Sequence, residues 1–291
     1  MQYVPWPCTL PIGRLTGFAI VITRAIFFPF DLFGSAGAKA GTQLLADAFQ
    51  EMLNDNKRER VATRARAYAN KVRFEEYVFE TLADYEDWRG QAQVRIRQVF
   101  RHNEFLLWVT GNHLGALPVY DELAPTTLVL QLDAHLDIYN LSDCTAQPSH
   151  GNFLLHARTP LPRIVNVGHR ELLLRPEYIQ KYYHASFSAV EWTLDSAGVF
   201  GKLRDLCQAA KRVFLDLDCD VFDPAYFPAT AQSRPFGLDP LIVPRLLEAV
   251  GPERLDGFAI SEFEPARDRH DCALETLMWL LEYVLLWKYE R

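Results

Sequence analysis

Cysteine is scarce in this chain and shows no pairing pattern. The five cysteines, Cys8, Cys144, Cys207, Cys219 and Cys272, are odd in number and scattered over 291 residues, with no CxxC. That spacing argues against a disulfide framework and against a thiolate zinc site, and it suits reduced thiols in a cytoplasmic compartment. Positive charge is also short: 30 Lys and Arg against 37 Asp and Glu leave a net charge of −7. A general nucleic-acid binder needs a basic face for the phosphate backbone, so no nucleic-acid partner is expected. Long apolar runs are missing too. Arg14 and Arg24 interrupt the apolar stretches near the N-terminus, so none reaches the ~20 residues of a membrane helix. No small-residue cleavage site follows, and the region reads as a buried first strand, with no membrane association. Low-complexity segments and internal repeats are absent as well, which points to a single domain over residues 1–291.

What is present is a core-forming composition, 49% apolar and 23% charged, ordinary for a globular protein. Short apolar, β-branched runs recur: FAIVIT at 18–23, FLLWVTG at 105–111, TLVLQLD at 127–133, RIVNVG at 163–168, RVFLDLD at 212–218 and GFAISEFE at 257–264. Such runs match strands buried on both faces of a parallel sheet. Between them lie helical stretches at 43–53, 88–100, 203–210, 240–250 and 273–289. Alternating strand and helix predicts an α/β fold with helices sandwiching a parallel sheet. The basic segment 57–73 reads as the solvated face of a surface helix rather than an anion site. Residues 74–82, FEEYVFETL, fit either a strand or a helix.

The informative residues are the polar ones at the ends of these runs. Asp133, His135 and Asp137 follow one run at i, i+2 and i+4. In an extended chain they would point to one face. Asp218 and Asp220 repeat the pattern after another run, His113 follows a third and Glu262 ends a fourth. Ligand sites of open α/β sheets lie at the carboxyl ends of the strands. Five carboxylates and two imidazoles gathered there would repel one another unless cations neutralised them. Two divalent ions are the natural compensation, and a carboxylate and imidazole set suits Mn²⁺. Cys219, between Asp218 and Asp220, would face the opposite side of a strand and is not a ligand.

Taken together the motifs resemble the ureohydrolase family of arginases and agmatinases. DAHLD is similar to that family's DAHxD, and LDCDVFDPAYFPAT to its xDxDxxDPxxxPxT. TGNHLG resembles the GGDHS turn, SHGNFLLHA the HGxxF segment and SEFEPARD the E-x-N-P-xx-D segment, in the same order over residues 105–270. The resemblance implies a three-layer α/β/α sandwich around a mainly parallel sheet of about eight strands. It also implies two Mn²⁺ ions that direct water onto a guanidino carbon, releasing urea and an amine. His113, Asp133, Asp137 and Asp218 would hold one ion; His135, Asp133, Asp218 and Asp220 would hold the other. Asp137 would thus serve both metal binding and catalysis. Glu262 would orient the guanidinium and His150 would carry a proton to the leaving amine. His150 stands 17 residues after Asp133 and directly before Gly151. A trimeric or hexameric homo-oligomer is the assembly implied.

Several positions depart from the family pattern. Asn112 stands where an aspartate is usual, Leu114 where serine is, Asp216 where serine is common, Glu264 where asparagine is and Phe236 where glycine is. Asn112 can still hydrogen-bond beside the ligand but carries no charge. Asp216 adds a carboxylate on the same face as Asp218. Tyr139 occupies the place of the arginase asparagine that meets the α-carboxylate, and Leu173 the place of an aspartate that meets the α-amino group. A small guanidino substrate without the amino-acid head, agmatine or a guanidino acid, therefore fits better than arginine. Tyr139, Asn140, His169 and Glu171 are the candidates for its tail. Arginase or formiminoglutamase activity is the alternative. A zinc deacetylase-like amidohydrolase would need a tandem His-His pair, which does not occur. An inactive metal-binding relative would explain the departures, but the six ligand positions are intact.

Overall fold

The computed structural model describes residues 22–141 and 146–290. Eight strands, β1 (Thr23–Phe28), β2 (Val72–Glu76), β3 (Phe105–Thr110), β4 (Leu128–Leu132), β5 (Arg163–His169), β6 (Ala185–Ser188), β7 (Val213–Asp218) and β8 (Leu255–Ser261), form one sheet. Their order is β2-β1-β3-β8-β7-β4-β5-β6, and every pairing is parallel. The crossovers carry α1 (Ala38–Arg58), α2 (Leu82–Glu86), α3 (Trp88–Arg101), α4 (Leu117–Glu122) and α5 (Pro176–Ile179). Further along follow α6 (Ala189–Leu194), α7 (Ser196–Ala209), α8 (Ile242–Val250) and α9 (Cys272–Tyr289).

Side-chain alternation divides the core into two layers. Ala25, Phe27, Leu107, Val109, Leu130, Leu132, Leu215 and Leu217 face one way, onto α1, α7, α8 and α9. Ile26, Phe28, Leu106, Trp108, Val129 and Phe214 face the other way, onto α3 and α4. This is the α/β/α sandwich expected, and continuous apolar strands are its signature because both faces are covered. In α9 the buried Leu277, Leu280, Leu281, Val284 and Leu285 follow the spacing of one helical face. In α1, Thr42, Leu45, Ala46 and Phe49 are buried in the same rhythm. Gly41 lets this helix press on the loop after β8: a Cβ there would lie 2.0 Å from the Phe263 carbonyl oxygen.

The differences from the sequence reading have local causes. The strand expected at 18–23 lies almost wholly outside the described residues, and the first strand among the described residues is the next apolar stretch, Thr23–Phe28. Residues 57–73 are not one surface helix. α1 stops at Arg58, and the chain passes through a 3₁₀ turn at Arg64–Ala67 into β2. The turn is anchored by buried Ala65 and Tyr68, with the Tyr68 hydroxyl donating to Glu282 at 2.6 Å; tertiary anchoring overrides helix propensity here. The ambiguous segment resolves into the end of β2 and the start of α2, where Thr81 and Asp84 form a capping box. The short edge strand β6, ASFS, carries little apolar signal of its own.

One buried charge ties the α3–α4 layer to the segment that leads into β5. The Asp121 carboxylate accepts two bonds from Arg89 (2.7 and 2.8 Å), one from Gln93 and one from the Arg158 backbone N–H. Removing it strands a partly buried guanidinium. Asp121→Ala is expected to cost about 3 kcal/mol, a fall in Tm of about 5–10 °C by thermal unfolding. A Tm within a degree of the wild type would show that the network is dispensable.

Candidate metal centre

β3, β8, β7 and β4 lie side by side in the middle of the sheet, and their carboxyl ends supply the polar cluster. His113 opens a 3₁₀ turn after β3, Asp133–Asp137 follow β4, Asp218 ends β7 and Glu262 follows β8. The expectation that Asp133, His135 and Asp137 share a face by extended alternation needs correction. β4 ends at Leu132, Asp137 has φ 48°, and the His135 N–H donates to Asp133 Oδ1 at 2.6 Å. Asp218 and Asp220 are also joined through a 3₁₀ turn, with the Asp220 N–H donating to Asp218 Oδ1 at 2.9 Å and Cys219 buried in the core. Residues i and i+2 on a strand stand ~7 Å apart, and the turns draw Asp133 towards His135 and Asp218 towards Asp220.

His113 Nδ1 lies 2.8 Å from Asp137 Oδ2, 3.2 Å from Asp218 Oδ2 and 3.3 Å from Asp133 Oδ2. It is buried and hydrogen-bonds to none of them. Asp133 Oδ2 is likewise buried without a hydrogen bond. Donor atoms that converge without bonding one another surround a point that suits a cation. A second group, Asp133, His135 and Asp220, shares Asp133 with the first, with His135 Nδ1 2.8 Å from Asp220 Oδ2. The residues therefore fit two ions bridged at Asp133, with Asp218 beside the first.

The protonation shifts express the same need for positive charge. Burial pushes the Asp133 carboxyl up to about 7, and the charge of Asp137 adds to it. Asp218 is raised well above the carboxylate range by burial, then by Asp220 and Asp133. Burial works against a charged His113 or His135, yet the surrounding carboxylates outweigh it, raising His135 to about 9 and His113 well above an ordinary imidazole. Asp220 moves down: burial opposes this, but His135 bonds and charges against it. Divalent cations would supply the compensation that these groups otherwise seek as protons.

Asp216 acquires a role that its position in the sequence did not reveal. Its Oδ2 lies 2.9 Å from His113 Nε2 and accepts from the Tyr120 hydroxyl at 2.6 Å, all three side chains being fully buried. Burial and the neighbouring Asp216 hold the Tyr120 pKa well above its usual value, so it stays a donor. With Asp216 accepting from Nε2–H, the Nδ1 lone pair of His113 is turned towards the three carboxylates. A carboxylate behind a histidine ligand fixes its tautomer and raises its basicity. Asn112 does something else: its Nδ2 donates to the Leu32 carbonyl at 3.0 Å, tying down the loop that carries Gly34.

Above these donors opens a cleft of about 280 Å³, lined by His113, His135, Asp137, Asp218, Asp220, Tyr139, His150 and Glu262 among others. Glu262 has φ 64°, and its Oε1 accepts from the His113 N–H at 2.9 Å and faces His150 Nδ1 at 3.2 Å. His150 Nε2 faces Gln232 at 3.2 Å. Burial lowers the His150 pKa, but Glu262 outweighs it and the net shift is upward. Of the four tail candidates, Tyr139 lines the cleft and donates to Glu171 Oε2 at 2.9 Å. Glu171 sits behind it, and His169, buried, accepts from the Glu171 N–H at 3.4 Å. Asn140 is exposed beside the cleft rather than in its lining. The sequence reading missed Phe33, Leu141, Gln232 and Arg234, which also line it; single loop residues carry no periodicity or spacing that would single them out.

The sequence model of the arginase family matches residues 24–286. The chain belongs to the arginase family. Proclavaminate amidinohydrolase of Streptomyces clavuligerus is 27% identical over 212 residues, covering 69% of this chain and 66% of that protein. Arginase 1, mitochondrial, of Oryza sativa subsp. indica is 27% identical over 180 residues, covering 55% and 48%. The chain thus spans about half to two thirds of the length of these relatives. Among solved structures, the agmatine ureohydrolase of Thermoplasma volcanium has a TM-score of 0.74 at 20% identity, covering 92% of this chain and 90% of that one. The arginase from Bacillus subtilis has 0.73 at 20% identity, covering 91% and 98%. At such identities these likenesses establish the fold. No helix among the described residues is long and apolar enough to cross a membrane.

The Asp216–His113 contact generates a test. Asp216→Asn keeps the shape but removes the charge behind the histidine. It is expected to weaken binding of a divalent ion by about 10–100-fold in calorimetric titration, with Tm little changed. Wild-type affinity in that variant would show that Asp216 does not act on the ligand.

Proposed function

We propose that this chain is a two-manganese hydrolase of linear amidines, cutting a guanidino C–N bond to urea and an amine. The observation that carries the reading is His113 Nδ1, ringed by three carboxylate oxygens and bonded to none, in a group that shares Asp133 with a second. His113, Asp133, Asp137 and Asp218 would hold one ion, and His135, Asp133, Asp218 and Asp220 the other. Carboxylates and imidazoles favour Mn²⁺ over a thiolate-preferring ion. When bound, a pair of divalent cations lowers the pKa of water from about 15.7 towards neutrality.

The remaining chemistry belongs to the protein's own groups. Glu262 has its Oε1 held by the His113 N–H and His150, which leaves Oε2 to accept from a guanidinium N–H and orient the carbon. His150, with Nδ1 towards Glu262 and Nε2 towards Gln232, delivers a proton to the leaving nitrogen as the C–N bond breaks. An imidazole suits this task near neutral pH. Among substrates, agmatine or a guanidino acid fits better than arginine, because Tyr139 and Leu173 replace groups that would meet the amino-acid head.

Two measurements test the proposal. After Mn²⁺ loading, elemental analysis is expected to find two ions per chain. In a panel of agmatine, 4-guanidinobutyrate, 3-guanidinopropionate, guanidine and arginine, urea release is expected to be faster from agmatine or a guanidino acid than from arginine, and formiminoglutamate is assayed separately by its product formamide. A chain that retains no Mn²⁺ sinks the reading. Glu262→Gln is expected to keep both ions but lower kcat/KM by 100-fold or more, on the order of one positioning hydrogen bond's worth. Normal kcat and KM in that variant would remove Glu262 from its orienting role.

A further inference from the structure

The two ends of the cleft differ in charge. The deep end carries Asp137, Asp218, Asp220 and Glu262, all buried, and these face the cations and the amidinium. The outer end is formed by Phe33, Leu141, Ser149 and Gln232, none of them charged, and by Arg234. Arg234 is exposed at that rim and, among the described residues, has no carboxylate within ion-pair distance. Its backbone is anchored nonetheless. The Arg234 carbonyl accepts from Arg170 Nη2 at 3.1 Å, and the same guanidinium bonds the carbonyls of Asp220 and Val221 at 2.6 and 2.8 Å. Arg170 therefore fastens the Arg234 loop to the turn that carries Asp220.

Among the described residues, no carboxylate at the outer end of the cleft is placed to meet a cationic tail. Glu171, the acidic residue among the tail candidates, does not line the cleft. Its Oε2 takes the Tyr139 hydroxyl, and its Oε1 takes the backbone N–H groups of Leu173 and Leu174. The charge of Arg234 reaches as far as Tyr139, where it opposes the rise in phenol pKa produced by burial and by Glu171. An ammonium ending in this region would sit in the field of a guanidinium with no described carboxylate free to balance it. A carboxylate would instead meet a planar donor fork suited to two parallel hydrogen bonds.

We propose that Arg234 is the tail-selecting residue, and that the substrate is a linear amidine whose far end carries a carboxylate, a guanidino acid rather than agmatine. This rests on the reading of the deep end as an amidine site. Because Arg234 is exposed, solvent screens it, and the expected discrimination is about 10-fold rather than several orders of magnitude.

4-Guanidinobutyrate and agmatine place opposite charges at nearly the same distance from the same guanidino group, so they isolate the effect. The test measures binding of each to the Mn²⁺-loaded protein by calorimetry, and urea release from each, for the wild type and Arg234→Glu. The wild type is expected to favour 4-guanidinobutyrate about 10-fold in both Kd and kcat/KM, and Arg234→Glu to reverse the order with unchanged Mn²⁺ content and Tm. Preference of the wild type for agmatine, or an unchanged ratio in the variant, overturns the role of Arg234 while leaving amidine hydrolysis standing. If neither compound releases urea but the acid binds more tightly and the variant reverses the order, tail selection stands and the hydrolytic reading falls. If neither compound binds, both fall.

Discussion

Four aspartates, a glutamate and two histidines are packed into the interior at the carboxyl ends of adjacent strands, and the organisation of the site follows from that crowding. Like charges in a place with little water cannot persist unless something positive joins them. The carboxyls and imidazoles respond together: Asp133 rises to about 7 and His135 to about 9, both shifts that favour taking up a proton. Divalent cations answer the same demand with more charge and with directional bonds. The metal preference is thus a property of the arrangement rather than of any one residue.

The sheet makes that arrangement possible. Parallel strands all end on one side, so β3, β8, β7 and β4, neighbours at the centre, project their following loops into a common space. The covering helices make the floor rigid, with Leu130, Leu132, Leu215 and Leu217 buried on one face and Phe214 and Val129 on the other. Above the floor, short turns replace extended chain, bringing Asp133 against His135 and Asp218 against Asp220. Beneath it, Tyr120 and Asp216 hold the rear of the His113 ring. The imidazole is held from behind by hydrogen bonds while its front nitrogen stays available.

The loops around the cleft give it its character. Asn112 bonds the Leu32 carbonyl and so fixes the loop near His150, and Arg170 fastens the Arg234 loop to the Asp220 turn. Glu264, another departure from the family pattern, pairs with Arg267 and lies against Gly37 at the start of α1. Asn112, Asp216 and Glu264 thus each have a partner in the surrounding structure. These contacts give them a structural account that does not require a decayed site.

The apolar runs by themselves determined the α/β class and five of the strands, because a strand buried on both faces must be written in continuous apolar residues. They also placed Asp133, His135, Asp137, Asp218, Asp220, His113 and Glu262 at strand ends, since polar residues that break off such runs have few other places to go. Tertiary structure decided the rest. The order of strands made neighbours of segments as far apart as His113 and Glu262, which no local pattern encodes. Turn geometry, with φ 48° at Asp137 and φ 64° at Glu262, aimed side chains that an extended chain would have separated. Asp216 behind His113 and Arg234 at the rim gained their meaning only there, because a side chain's role depends on what it meets in space.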